Sequence, residues 1–221
     1  MAKVFMASFS MLLLVAAAFV LLSLPDRAAA REPAPYKCYT ITGSAPGVAP
    51  VDLETRFGVE PGVVVGAPAF LCDPAVKAFP PATPVPQLPS DTPYKAYNIT
   101  NTHTVNRRVP LTTQLGVEQN VLVGQAKYLA EPATKDGVGN LTQTPWKCYQ
   151  ITDVGTPTPN VVNLRTQFGL ELNVQVNPAE YLCEPAKKDG VGNLKDTAYK
   201  CYKIISTDNP PDVVQLVTQF G

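Results

Sequence analysis

Four stretches of the chain alternate apolar and polar residues with a period of two. One face reads Val51, Leu53, Thr55, Phe57 in the first and Val109, Leu111, Thr113, Leu115 in the second. It reads Val162, Leu164, Thr166, Phe168 in the third and Val214, Leu216, Thr218, Phe220 in the fourth. The opposite face of the first carries Asp52, Glu54 and Arg56. Alternation of this kind predicts a half-buried strand, and four matches in register make the assignment much stronger than one. A glycine closes each stretch, at Gly58, Gly116, Gly169 and Gly221.

Each stretch follows a second pattern, an aromatic, Lys, Cys or Ala, Tyr, any residue and Ile. It starts at Tyr36, Tyr94, Trp146 and Tyr199, spaced 58, 52 and 53 residues apart, which identifies a tandem repeat. Turn-rich loops of unlike sequence join the two patterns. A third segment then alternates Val63 with Val65, Val121 with Val123 and Val174 with Val176. A fourth ends Leu71-Cys72-Asp73-Pro74, Leu129-Ala130-Glu131-Pro132 and Leu182-Cys183-Glu184-Pro185. The units span residues 36–77, 94–135 and 146–188, with an incomplete one at 199–221. Each amounts to about four short strands, small for an independent core. The expected fold is all-β: tandem disulfide-stapled units, packed as β-sandwich-like pairs. A Pro-rich linker, 78–93, should be extended and semi-rigid. The later joints, Lys135 to Leu141 and Lys188 to Leu194, read as glycine turns, because they lack the acidic spacing of a calcium loop.

The cysteines follow the units. Cys38 and Cys72 are 34 residues apart and Cys148 and Cys183 are 35 apart, while unit two has alanine at both places, Ala96 and Ala130. Two positions lost together mark a bridge, so the pairing is Cys38 with Cys72 and Cys148 with Cys183. Each bridge should stabilise its unit by about 3–4 kcal/mol in the chain-entropy model. Unit two must rely on its neighbours and should be the least stable. Aromatic residues two positions before these cysteines, Tyr36 and Phe70, Trp146 and Tyr181, share their face of the strand. Cys201 is unpaired. Three readings stay open for it: a truncated fourth unit, which is favoured, a Cys201-linked dimer, or a reactive thiol.

Export is the next expectation. Lys3, an apolar run from Met11 to Leu24 and Ala28-Ala29-Ala30 form a signal peptide over residues 1–30, with an uncleaved anchor as the alternative. Cleavage leaves no integral membrane segment and places the product in the periplasm, at the cell surface or outside the cell. Lys and Arg number 18, as do Asp and Glu, so no net field draws nucleic acid or an anionic membrane.

Candidate chemistry is sparse. His103 is the sole histidine and no Gly-x-Ser-x-Gly elbow accompanies it. Carboxylates at Asp52 and Glu54 do not recur between units, and no zinc-type ligand set or phosphate-cradling loop is present. No catalytic, cofactor or metal residue is assigned. The one repeated polar feature pairs Lys37 with Tyr39, Lys95 with Tyr97, Lys147 with Tyr149 and Lys200 with Tyr202 on one strand face. It is either a contact row for a protein or glycan or, preferably, a packed tyrosine covered by a lysine stem.

The motifs Tyr199-Lys200-Cys201-Tyr202-Lys203, Thr166-Gln167-Phe168-Gly169 and Leu182-Cys183-Glu184-Pro185 resemble those of exported bacterial proteins built from tandem units of about fifty residues, a family of unknown function. The resemblance covers nearly the whole chain after residue 30. It implies export and a β fold, and it supplies no catalytic residue. The resulting expectation is an exported, non-catalytic structural or binding repeat protein. A secreted hydrolase and a protease-inhibitor-like scaffold presenting one loop are the alternatives.

Overall fold

The computed structural model describes residues 34–81, 91–206 and 213–221. The chain divides into Met1–Glu32 and Pro33–Gly221, and all described residues lie in the second part. Residues 1–30, where an export segment is expected, and residues 82–90 of the Pro-rich linker lie outside the described residues. The described residues form strands only: β1 (Tyr36–Thr40), β2 (Val51–Thr55), β3 (Gly58–Pro74), β4 (Val76–Ala78), β5 (Tyr94–Thr100), β6 (Thr104–Thr113), β7 (Gly116–Lys135), β8 (Trp146–Thr152), β9 (Val161–Thr166), β10 (Gly169–Pro185), β11 (Lys187–Lys188), β12 (Tyr199–Ile205) and β13 (Leu216–Thr218). The fold is all-β, with disulfides Cys38–Cys72 and Cys148–Cys183.

The alternating stretches are shorter than the period-two pattern suggests. β2, β6 and β9 each stop at a threonine, and a two-residue turn leads to the closing glycine, pairing Thr55 with Gly58, Thr113 with Gly116 and Thr166 with Gly169. The threonine hydroxyl accepts the backbone N–H two residues on, at 3.2 Å from Phe57, 3.1 Å from Leu115, 3.2 Å from Phe168 and 3.1 Å from Phe220. That side-chain cap explains Thr-x-x-Gly in every unit. Phe57 therefore sits in the turn, from which its ring folds back onto Tyr149 at 5.1 Å.

The third and fourth segments of each unit are one long strand. β3, β7 and β10 run 17, 20 and 17 residues. Their first halves form hairpins with β2, β6 and β9. Their second halves enter an antiparallel ladder in the order β1-β3-β5-β7-β8-β10-β12. The ladder register shifts around Pro68, Ala126 and Ala179. Such bulges bend a strand, and here one strand serves both layers.

This pairing joins the stapled units to one another. Every fourth strand pairs with the first strand of its own unit and with that of the next. The segment after each fourth strand then pairs two units away: β4 with β9, β11 with β2, and Ala133–Lys135 of β7 with β13. One apolar core lies between the ladder and the outer strands, uniting Val51, Leu53, Val63, Tyr97, Val121, Leu129, Tyr149 and Leu182. Unit two, without a bridge, sits in the middle of the ladder.

Both glycine joints are tight turns. Asp136 and Gly137 take φ of 51° and 81°, and Asp189 and Gly190 take 49° and 84°, as a type I′ turn requires. Two residues on, Gly192 has φ 138°, and a Cβ there would clash with the Ala186 carbonyl oxygen. Gly192→Ala should lower stability by about 1–3 kcal/mol. Gly155→Ala, with ordinary φ and its nearest neighbour at 3.6 Å, should be close to neutral in the same denaturant titration.

Candidate functional site

The lysine and tyrosine pairs lie between the ladder and the outer strands, so they do not form an exposed contact row. Lys37 is 3% exposed, Lys147 1% and Tyr149 0%. Each tyrosine hydroxyl meets the capping threonine two units away: Tyr39 with Thr166 at 3.0 Å, Tyr97 with Thr218 at 2.9 Å, Tyr149 with Thr55 at 2.8 Å and Tyr202 with Thr113 at 3.0 Å. The ammonium groups follow the same rule. Lys37 pairs with Glu171, Lys147 with Glu60 at 2.7 Å and Lys200 with Glu118. Lys95 makes its contact with the Tyr97 ring, 5.2 Å from the centroid. Burial lowers the pKa of Lys147 and Lys200 and raises that of Tyr149 and Tyr202. These side chains join the layers, and Lys200 and Tyr202 also line a cavity with Glu118 and Thr156.

A second set of buried charges escaped the sequence reading. Asp73 holds Lys135 through both oxygens, at 3.0 and 2.9 Å, Glu131 holds Lys188 at 2.8 Å, and Glu184 pairs with Arg56. The Lys135 and Lys188 ammonium groups lie 4.4 and 4.2 Å from the Phe168 and Phe220 ring centroids. Burial is the largest influence on Asp73, Glu131 and Glu184 and raises each pKa, against the lowering effect of the cation. The legible signal was an acid in the same place of three units, four residues before Lys77, Lys135 and Lys188.

The other face of the ladder turns inward, and its contents make the most distinctive site. The rings of Tyr36, Tyr94, Trp146 and Tyr199, one from each unit, converge. Tyr36 lies 5.6 Å from Tyr94, 5.5 Å from Trp146 and 5.6 Å from Tyr199, while Trp146 lies 3.8 Å from Tyr94 and 4.7 Å from Tyr199. A second layer links Phe70 with Tyr128 at 5.1 Å and Tyr128 with Tyr181 at 5.2 Å. The two disulfides and the facing Ala96 and Ala130 share this inward face. Since β1 and β12 lie at opposite ends of the ladder, contact between Tyr36 and Tyr199 means that the ladder curls almost into a ring.

This interior is covered unevenly. Cys148 is 5% exposed, whereas Cys38 is exposed, and Tyr36, Tyr199 and Cys201 are half-buried. Cys201 is a free thiol whose sulfur lies 3.4 Å from that of Cys183. Burial of the sulfur raises its pKa to about 12, which leaves little thiolate at neutral pH. His103 is exposed, in the loop between β5 and β6, and its backbone N–H donates to Glu60 at 3.2 Å. Among the described residues no three His, Cys, Asp or Glu side chains are grouped to hold a metal ion, and no helix is long and apolar enough to cross a membrane. No family model matches the chain, and no curated protein or solved structure shows significant similarity to it.

The raised carboxyls set the acid response. Asp73, Glu131 and Glu184 bind protons more tightly folded than unfolded. Their contribution to stability is fully present below the unfolded value of about 4 and is lost as pH rises through the raised values. Lys147 and Lys200 act oppositely: theirs is present above the unfolded value of about 10.4 and is lost as pH falls through the lowered values. The thermal midpoint should therefore rise as pH is lowered from neutral toward the unfolded carboxyl value of about 4. The rise should be smaller in Glu131→Gln, and a falling midpoint in the parent protein would contradict this assignment.

Proposed function

We propose that the protein is an exported, non-catalytic scaffold with a structural or binding role, related to the bacterial repeat proteins whose motifs it resembles. The observation that carries the reading is the inward aromatic face, stapled by two disulfides and only partly covered along one side, where Cys38 is exposed and Tyr36 and Tyr199 are half-buried. Disulfides persist in oxidising compartments, which fits a chain that begins with an export segment. A stapled, partly exposed aromatic strip supports a binding role, because apolar surface left in part to water is a place for a partner. Its buried charges are spent on joining layers, and that leaves contact through shape and backbone as the mode of action.

Fractionation of the native host with intact-mass analysis tests this proposal. The expected product lies outside the cytoplasm, begins at Arg31 and contains the Cys38–Cys72 and Cys148–Cys183 bridges. A cytoplasmic product with all five cysteines reduced would overturn it.

A further inference from the structure

The buried acids of units one and two each belong to a set of three side chains drawn from three successive units. The acid ends a fourth strand, the lysine comes from the next unit, and a glutamine comes from the position after the capping threonine of the unit beyond. One set is Asp73, Lys135 and Gln167; the other is Glu131, Lys188 and Gln219. Glu184 meets Arg56, which stands in the glutamine's place and has no amide.

The two sets hold their lysines differently. Asp73 takes Lys135 through both carboxylate oxygens and also accepts a hydrogen bond from the Gln167 side chain. Lys188 instead spans two groups: its Nζ lies 2.8 Å from Glu131 Oε2 and 2.6 Å from Gln219 Oε1. Glu131 is 0% exposed, and its other oxygen, Oε1, has no hydrogen-bond partner among the described residues. Lys188 is buried as well, with its ammonium 4.2 Å from the centroid of the Phe220 ring. An amine, an amide carbonyl and a carboxyl with one oxygen to spare are thus held together away from bulk water.

We propose that Lys188 and Gln219 are joined by an isopeptide bond that the folded protein forms by itself, with Glu131 as its acid and base. The Lys188 ammonium passes one proton to Glu131 and becomes a nucleophilic amine. Its nitrogen bonds to Cδ of Gln219, the carbon of the carbonyl already beside it. Rotation about the last glutamine torsion, which is broad, brings that carbon to Nζ. The carbonyl electron pair moves onto Oε1, where the protonated Glu131 carboxyl donates to it. The pair returns as the bond from Cδ to Nε2 breaks. The leaving nitrogen takes a proton from the attacking one and departs as ammonia, while the first proton stays on Glu131. An ammonium, a carboxylate and a primary amide thereby become a secondary amide, a neutral carboxyl and ammonia, with no oxidant or cofactor.

The surroundings fit each step. Burial raises the Glu131 pKa, which favours the neutral carboxyl that the reaction leaves. Gln219 is exposed and its Nε2 donates to the Leu141 carbonyl at 2.8 Å, so the leaving group has a route to solvent. Fixed placement of amine and amide replaces an encounter between separate molecules, which is a large part of such a barrier. The ion pair comes first and sets the register; the bond then fixes it. β13 is three residues long, and a covalent tie from its turn to β11 would keep it docked. The Asp73 set, whose lysine is engaged by both carboxylate oxygens, should remain an ion pair.

The test is the intact mass of the purified chain, reduced and alkylated, against the mass of its sequence from the determined N-terminus. The expected deficit is one ammonia, and tryptic mapping should give a branched peptide joining Lys188 to Gln219, uncleaved after Lys188. Gln219→Ala, at an exposed position, should fold and restore the full mass. Glu131→Gln should slow bond formation by about a hundredfold, followed by mass from cell-free synthesis onward under oxidising conditions. Trp146 emission matching the parent's confirms that each variant has folded, and a merely structural glutamate would leave the rate unchanged. A full mass in the parent protein would overturn the proposal. So would a deficit of one water, which would place the amide on a carboxyl instead. The inference goes beyond the scaffold reading, and because mass is read wherever the chain is made, it can fail separately from host fractionation.

Discussion

Every aromatic-Lys-Cys-Tyr strand must be covered on two faces, and the architecture depends on meeting both demands with one short segment. The inward face brings rings and cysteines together, while the outward face buries tyrosine and isoleucine beneath the hairpins. No single unit of about four strands can supply both covers. The inward side is completed by neighbouring units, through fourth strands shared between adjacent first strands. The outward side is completed from two units away, through Thr55, Thr113, Thr166 and Thr218. Stability is therefore collective, and bridge-free unit two is carried by strands on both sides of it.

The buried charges decide which segment covers which. An ion pair taken out of water gains little net stability, since desolvation consumes most of the attraction, but losing one partner costs about 3–5 kcal/mol. Lys147 with Glu60 and Lys188 with Glu131 thus act mainly against misregistration. A hairpin placed over the wrong first strand would strand a charge in the apolar layer. The same geometry accounts for the near-absence of candidate chemistry: the lysines and carboxylates that recur are engaged with each other. The raised carboxyl pKa values report that burial outweighs pairing there.

The inward face differs in kind. It is built mainly from rings, bridges and alanines, and among the described residues Cys38 of β1 is exposed while Tyr36 and Tyr199 are half-buried.

The sequence by itself determined the strands, the repeat spacing, the turn glycines and the cysteine partners, because each rests on local periodicity or on residues that vary together within one chain. Val51, Leu53 and Thr55 are buried and Asp52 is exposed, as period-two alternation requires. Cys38 with Cys72 was legible because unit two lacks both. Only the tertiary structure decided that the third and fourth segments are one strand, since a bulge at Pro68 or Ala126 bends the backbone without ending the ladder. It alone decided that Lys37 and Lys147 are buried, because a lysine beside a tyrosine on a strand looks alike whether the next layer is water or another sheet. The pairing of units two apart was also beyond local pattern: a threonine hydroxyl announces its turn in the sequence, but the tyrosine that reaches it lies roughly a hundred residues away, and only the curl of the ladder brings the two together.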